Sequence, residues 1–142
     1  MKTYATSIKE INREWCLIDA ENQILGKVAT KAAVILQGKH KVNQVSYIDT
    51  GDYVVVLNAA KVAVSGNKEE GKIYHRHSGY PGGYKKQTLG DLRAKRPEEI
   101  IRKAVYGMLP KNRLGREMLK KLHIFAGSEH NLGKKELKTL EI

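Results

Sequence analysis

Residues 52–58 read DYVVVLN, and at their centre Tyr53, Val54, Val55, Val56 and Leu57 follow one another with no charged residue between them. A strand with one wet face alternates apolar and polar side chains. One that is apolar at successive positions has both faces covered, as in a parallel sheet. Upstream, residues 24–37 place Leu25, Val28, Ala29, Ala32, Ile35 and Leu36 at helical spacing, and Gly38 is a natural stop. Residues 15–20 (WCLIDA) read as a further strand. Strand, helix and strand in this order make a βαβ unit, so the pattern predicts an α/β domain.

Downstream the signals shorten. Residues 61–65 and 72–77 are strand candidates on either side of the turn GNKEEG, and SGYPGG at 78–83 interrupts regular structure. Residues 88–94 can form a short helix that ends before Pro97, and Pro97 is placed to open the next one, with Ile100, Ile101, Ala104, Val105 and Met108 as its buried face. Pro110 restarts the chain into another helix, in which Arg113, Arg116 and Lys120 lie on one side and Leu114, Met118 and Leu122 on the other. Residues 122–126 (LHIFA) are the last strand candidate. Residues 1–14 read as an N-terminal extension and 128–142 as a polar, loosely ordered tail. At 142 residues the chain is expected to form one domain.

The net charge is +11, and its position is more informative than its size: the first 58 residues sum to only +1. A surplus this large repels itself unless a polyanion uses it. No apolar run is long enough to span a bilayer, the N-terminus has no apolar signal core, and no membrane role is expected. Cys16, the one cysteine, has no disulfide partner within the chain and lies in an apolar run, which suits a reducing compartment.

Two stretches gather the cations. Residues 107–121 (GMLPKNRLGREMLKK) set Lys111, Arg113, Arg116, Lys120 and Lys121 against the single acid Glu117. Residues 72–86 (KIYHRHSGYPGGYKK) hold Lys72, Arg76, Lys85 and Lys86 with no acid, interleaved with His75, His77, Tyr74, Tyr80 and Tyr84. Cations neutralise phosphates, tyrosine rings stack on unpaired bases, and glycines let the backbone come close to a groove. A smaller group, Lys39, His40 and Lys41, follows the first helix, where cations also suit the helix dipole.

Enzymatic readings find no support. Residues 66–72 match the spacing of a phosphate-binding loop up to its lysine, but Ile73 stands where a hydroxyl is needed and Glu69 and Glu70 would face phosphate. His75 and His77 share a strand face and could chelate a metal with Asp49, Asp52 or His123, yet no cysteine or helical ligand motif accompanies them. They read better as hydrogen-bond donors to the backbone in a basic loop. Asp49 and Asp52 are explained by turn formation and capping. No cofactor, metal or small-molecule substrate is expected.

The strings LGKVAT (25–30), GKHK (38–41), DTGDYVVVLNA (49–59), SGNK (65–68), SGYPGG (78–83), RPEEII (96–101) and GMLPKNRLGREMLKKLHIFAG (107–127) together resemble the family of large-subunit ribosomal protein thirteen. The resemblance runs over nearly the whole chain. It implies a three-layer α/β/α single domain around a central, mostly parallel four-stranded sheet. It further implies a structural, non-catalytic constituent of the large ribosomal subunit, cytoplasmic or organellar, that binds 23S-type rRNA directly and early in assembly beside neighbouring ribosomal proteins. No homo-oligomer is expected. By position the rRNA-facing segments are GKHK, residues 68–86 and GMLPKNRLGR, which adds Lys68 and Asn112 to the cations above. The chain departs from the family pattern at Tyr106, where Lys or Arg is common, at His75, where an aromatic is common, and at Leu132, where the tail often carries a second His. The other reading open to this composition is a basic protein-binding regulator or moonlighting module using the same surface.

Overall fold

In a computed structural model that describes residues 4–142, β1 (Trp15–Asp19), α1 (Leu25–Gln37) and β2 (Tyr53–Leu57) form the expected βαβ unit, with β1 and β2 parallel and Trp15 in register with Tyr53. The start of the expected N-terminal extension, residues 1–3, lies outside the described residues. Gly38 ends α1 in the left-handed conformation at φ 73°, its N–H and that of Lys39 bonding back to the carbonyls of Ile35 and Val34. After β2 come one helical turn α2 (Lys68–Gly71), β3 (Ile73–His77), β4 (Tyr84–Thr88), α3 (Leu89–Lys95), α4 (Pro97–Met108), α5 (Arg113–Lys120), β5 (Leu122–Ile124) and β6 (Leu137–Leu140). The central sheet runs β5-β2-β1-β6 with every pairing parallel, and β3 and β4 form a separate antiparallel hairpin. The architecture is thus α/β, with helices flanking a parallel four-stranded sheet.

Strand alternation divides the sheet residues. Cys16, Ile18, Val54, Val56, Leu122 and Ile124 join Val28, Ala32 and Leu36 of α1 and Ile100, Ile101 and Val105 of α4 in one buried cluster. On the opposite face Trp15 stacks on Tyr53 with ring centroids 4.3 Å apart, His123 lies 5.4 Å from Trp15, and the Lys135 ammonium sits 3.6 Å from the Trp15 ring. Burial of this size, at about 25 cal/mol per Å² of apolar surface, is the main force holding the layers together.

Four expectations are corrected. The tail at 128–142 is not loose, because Leu137–Leu140 supplies the edge strand beside β1. An edge strand is held largely by its backbone ladder and needs few apolar side chains, so LKTL carries little hydrophobic signal. Residues 61–65 form no strand. Lys61 ends a single 3-10 turn (Ala59–Lys61), Val62 is buried in the core, and Ala63 forms an isolated bridge with Ile24. Met108, at the end of α4, is 43% exposed rather than buried. Finally, α5 begins at Arg113 under an Asn112 cap rather than at Pro110.

Candidate nucleic-acid interface

The hairpin is the first element of the site. Its turn needs glycine at Gly79 and Gly82, where φ is 89° and 71°. The His75 ring stacks against Tyr84 and its Nδ1 lies 2.6 Å from the Tyr84 hydroxyl. His77 Nδ1 accepts the Gly79 N–H at 2.9 Å, so this histidine serves the turn as an acceptor and not as the donor expected. Among the described residues no group of three or more His, Cys, Asp or Glu could hold a metal ion. Tyr80 is 76% exposed at the turn, and Arg76, Tyr84, Lys85 and Lys86 are exposed along both strands. Of the two strands, β3 meets the expectation at 72–77, whereas β4 was hard to see in the sequence because it is wet on both faces and shows no apolar alternation.

At the other end of the hairpin, Lys72 and Lys103 both hold their ammoniums over the Tyr74 ring, 5.5 and 4.6 Å from its centroid. Burial pushes the Tyr74 phenol above its ordinary pKa, so it stays neutral there. Lys103 went unnoticed in the sequence because it lies 31 positions from Lys72, on a helix whose role looked purely structural. Lys68 is exposed on α2, its Nζ donating to Ser65 Oγ at 3.1 Å.

The second element is α5. Asn112 Oδ1 accepts the Gly115 N–H at 2.8 Å, which fixes the start of the helix. A Cβ on Gly115 would sit 1.8 Å from the Pro110 carbonyl oxygen, so only glycine lets the preceding loop fold against this turn. The result presents Arg113 and Arg116 to solvent, with Met118 turned inward and Lys120 paired to Glu117 at 2.8 Å. Lys111 lies 5.0 Å from the Tyr106 ring, so the aromatic at 106 positions a neighbouring cation where the family pattern has a cation of its own.

The third element joins GKHK to the turn at residues 49–52. Asp52 is 1% exposed and accepts from Lys41 Nζ at 2.5 Å and from the Glu14 N–H at 3.0 Å, while the His40 ring Nε2 lies 2.8 Å from its other oxygen. Burial alone would raise the Asp52 pKa. The bonds from Lys41, the Glu14 backbone and His40 outweigh it and hold the carboxyl below its usual range. Since the folded pKa lies below the unfolded one, this contribution is present above the unfolded value near 3.9 and is lost as pH falls through the folded value. Stability followed by urea midpoint is therefore expected to hold from neutral pH to about 5 and fall below about 4, with a smaller fall in Asp52→Asn.

A family model described as Ribosomal protein L13 matches residues 13–131. The chain belongs to the ribosomal protein L13 family. Among curated relatives it is 51% identical to the Large ribosomal subunit protein uL13 of Ruthia magnifica and 49% identical to that of Shewanella denitrificans, in both cases over 142 residues and the whole of each chain. It is also 51% identical to the protein of the same name from Maridesulfovibrio salexigens, over 99% of each chain. The L13 family is one of structural ribosomal components and not of enzymes.

Within this L13-family chain the seventeen residues singled out from the sequence divide into two kinds. Lys39, Lys68, Arg76, His77, Tyr80, Tyr84, Lys85, Lys86, Lys111, Asn112, Arg113, Arg116 and Lys120 are exposed, and His40 and Lys72 keep part of their side chains accessible. Lys41 is committed to Asp52 and to the Asn12 carbonyl. Lys121 is the correction: it is 6% exposed, and its Nζ donates to Asp49 Oδ1 at 2.6 Å, Gly51 O at 2.8 Å and Leu36 O at 3.3 Å. A lysine enclosed in this way cannot reach a phosphate. Its neighbour Lys120 looked the same in sequence, and the end of α5 decides between them by turning one outward and one in.

Proposed function

We propose that this chain is a structural constituent of the large ribosomal subunit that binds large-subunit rRNA directly and organises it early in assembly, next to other ribosomal proteins. The observation that carries this reading is the division of the cations. Those of the hairpin and of α5 other than Lys120 have no carboxylate within 4.0 Å among the described residues, whereas Lys41 is matched to the buried Asp52 and the enclosed Lys121 to the partly buried Asp49. Unmatched cations on two separate elements suit an extended polyanion. The rRNA-facing set is Lys39, His40, Lys68, Lys72, Arg76, His77, Tyr80, Tyr84, Lys85, Lys86, Lys111, Asn112, Arg113, Arg116 and Lys120, with Lys41 holding the GKHK loop in place.

The test is binding to protein-free large-subunit rRNA across a salt series. The wild-type chain is expected to lose affinity with salt at a log–log slope of about −0.7 to −0.9 per phosphate neutralised. Arg113→Ala with Arg116→Ala is expected to make that slope shallower by about 1.5 and to weaken binding about tenfold at 100 mM salt, with an unchanged melting temperature because both side chains are in solvent. Salt-independent binding by the wild type would overturn the proposal. Unfolding of the double variant would overturn the assignment of the helix face.

A further inference from the structure

Between the β3–β4 hairpin and the α3–α4 helices runs a groove of about 770 Å³. Arg76 and Lys85, paired across the two strands, stand on its hairpin wall, and Lys95, Arg96 and Lys103 stand on its helix wall. None of these five has a carboxylate within 4.0 Å among the described residues. The acids that face the groove are already accounted for. Asp91 closes the capping box of α3 with Thr88, and Glu99 sits in the first turn of α4, where the helix dipole favours a negative charge.

At one end of the groove the charges are held together against their own repulsion. Lys103 and Lys72 share the Tyr74 ring, which puts their ammoniums within about 10 Å of each other. A ring can localise two ammoniums but cannot neutralise them. An anion between or beside them can, and the ring lowers the entropy lost when it binds. Arginine at 76 and 96 adds two planar donor forks of the kind that grip phosphate oxygens in pairs.

Resting on the rRNA reading above, we propose that this groove holds a single strand of RNA by its backbone, with Arg76 and Lys85 on one side and Lys95, Arg96 and Lys103 on the other taking its phosphates. The site enlarges the interface beyond the hairpin tip and α5 and makes α3 and α4 part of it. A thin hairpin arm facing a helix pair encloses one strand, whereas a duplex would present its phosphates across a broad minor groove. Base identity is not read by these contacts, since cations on phosphate position a strand without specifying it.

The experiment uses the full chain and protein-free large-subunit rRNA. Lys95→Ala with Lys103→Ala is compared with Lys27→Ala with Lys31→Ala, which removes the same charge from the separate groove between α1 and β6. All four lysines are exposed, so both variants are expected to fold. The Lys95/Lys103 pair is expected to make the salt slope shallower by about 1.4, the value for two phosphates on a single strand, and to weaken binding tenfold or more, while the control pair leaves the slope unchanged. Equal losses in both pairs, or no loss in either, overturn the groove. Salt-dependent wild-type binding alongside an unaltered Lys95/Lys103 variant overturns the groove alone, whereas salt-independent wild-type binding removes the rRNA reading beneath it as well. As a second readout, Lys95 and Lys103 are expected to be protected from acylation in the large subunit and to lose that protection on nuclease digestion. Protection that survives digestion would assign the groove to an acidic protein segment and overturn the RNA proposal.

Discussion

Gly51→Ala is expected to destabilise the fold by about 4 kcal/mol or more, which for a domain of this length lowers the melting temperature by on the order of 10 °C. A Cβ at this position would lie 1.8 Å from the Leu36 carbonyl oxygen, 2.3 Å from its carbon and 2.9 Å from the Ile35 oxygen. All three atoms are backbone at the end of α1, so no side-chain rotation relieves the overlap. Nor can the helix back away, because Val28, Ala32, Ile35 and Leu36 are packed into the core on its other side. The contact is reciprocal: a Cβ on Gly38 would meet Thr50 Oγ1 at 2.7 Å and the Gly51 nitrogen at 3.0 Å. Two glycines thus let the 49–52 turn lie directly on the helix terminus, where the Asp52 N–H bonds to the Ile35 carbonyl at 3.2 Å. Gly26→Ala in the first turn of α1, with nothing within 4 Å of its Cβ site, is the control and is expected to be neutral or to stabilise by about 0.5 kcal/mol. A Gly51→Ala chain that melts with the wild type would show that the turn does not press on the helix.

Lys121→Met is expected to cost about 3–5 kcal/mol in a urea titration, although methionine nearly matches the volume removed. The Lys121 ammonium ties two parts of the chain together through three bonds: to Asp49 and the Gly51 carbonyl in the 49–52 turn, and to the Leu36 carbonyl at the end of α1. Burial pushes the Lys121 pKa down from its ordinary value, and the bond to Asp49 opposes that push. Removing the lysine leaves the Asp49 carboxylate enclosed, with the Arg13 guanidinium only at 4.0 Å, and strips two carbonyls of their donor. Lys120→Met, which breaks a solvent-exposed pair with Glu117, is expected to cost less than about 1 kcal/mol. The two substitutions should separate in the opposite sense in rRNA binding: at temperatures where both chains are folded, Lys120→Met weakens it and Lys121→Met does not. Equal stability of the two variants would mean that Arg13 takes over Asp49.

How much could be read in advance varied with the local physics. The βαβ unit was legible because a doubly covered strand and an amphipathic helix leave strong periodicities, seen in Val54–Val56 and in Leu25, Val28, Ala32 and Leu36. The two basic stretches were legible because cations without acids stand out in any order. The edge strand at Leu137–Leu140 was not, since backbone pairing stabilises it and leaves no mark on residue type. Nor was β4, where Tyr84–Thr88 is wet on both faces. The resemblance to the ribosomal family supplied the four-stranded parallel sheet that periodicity alone could not count.

Composition and order were enough to establish an α/β chain with a parallel strand at its centre, a cationic second half and no catalytic motif. Those properties depend on residue type and spacing, and both are present in the linear chain. Folding had to assign each cation its work. Lys120 and Lys121 are adjacent and chemically identical, yet one lies in solvent and the other is enclosed against Asp49. Lys72 and Lys103 are far apart in the chain and meet over one tyrosine ring. Burial and long-range proximity arise only when α1, the 49–52 turn, the hairpin and α4 pack together, and they separate the charges that hold this protein together from those free to hold a partner.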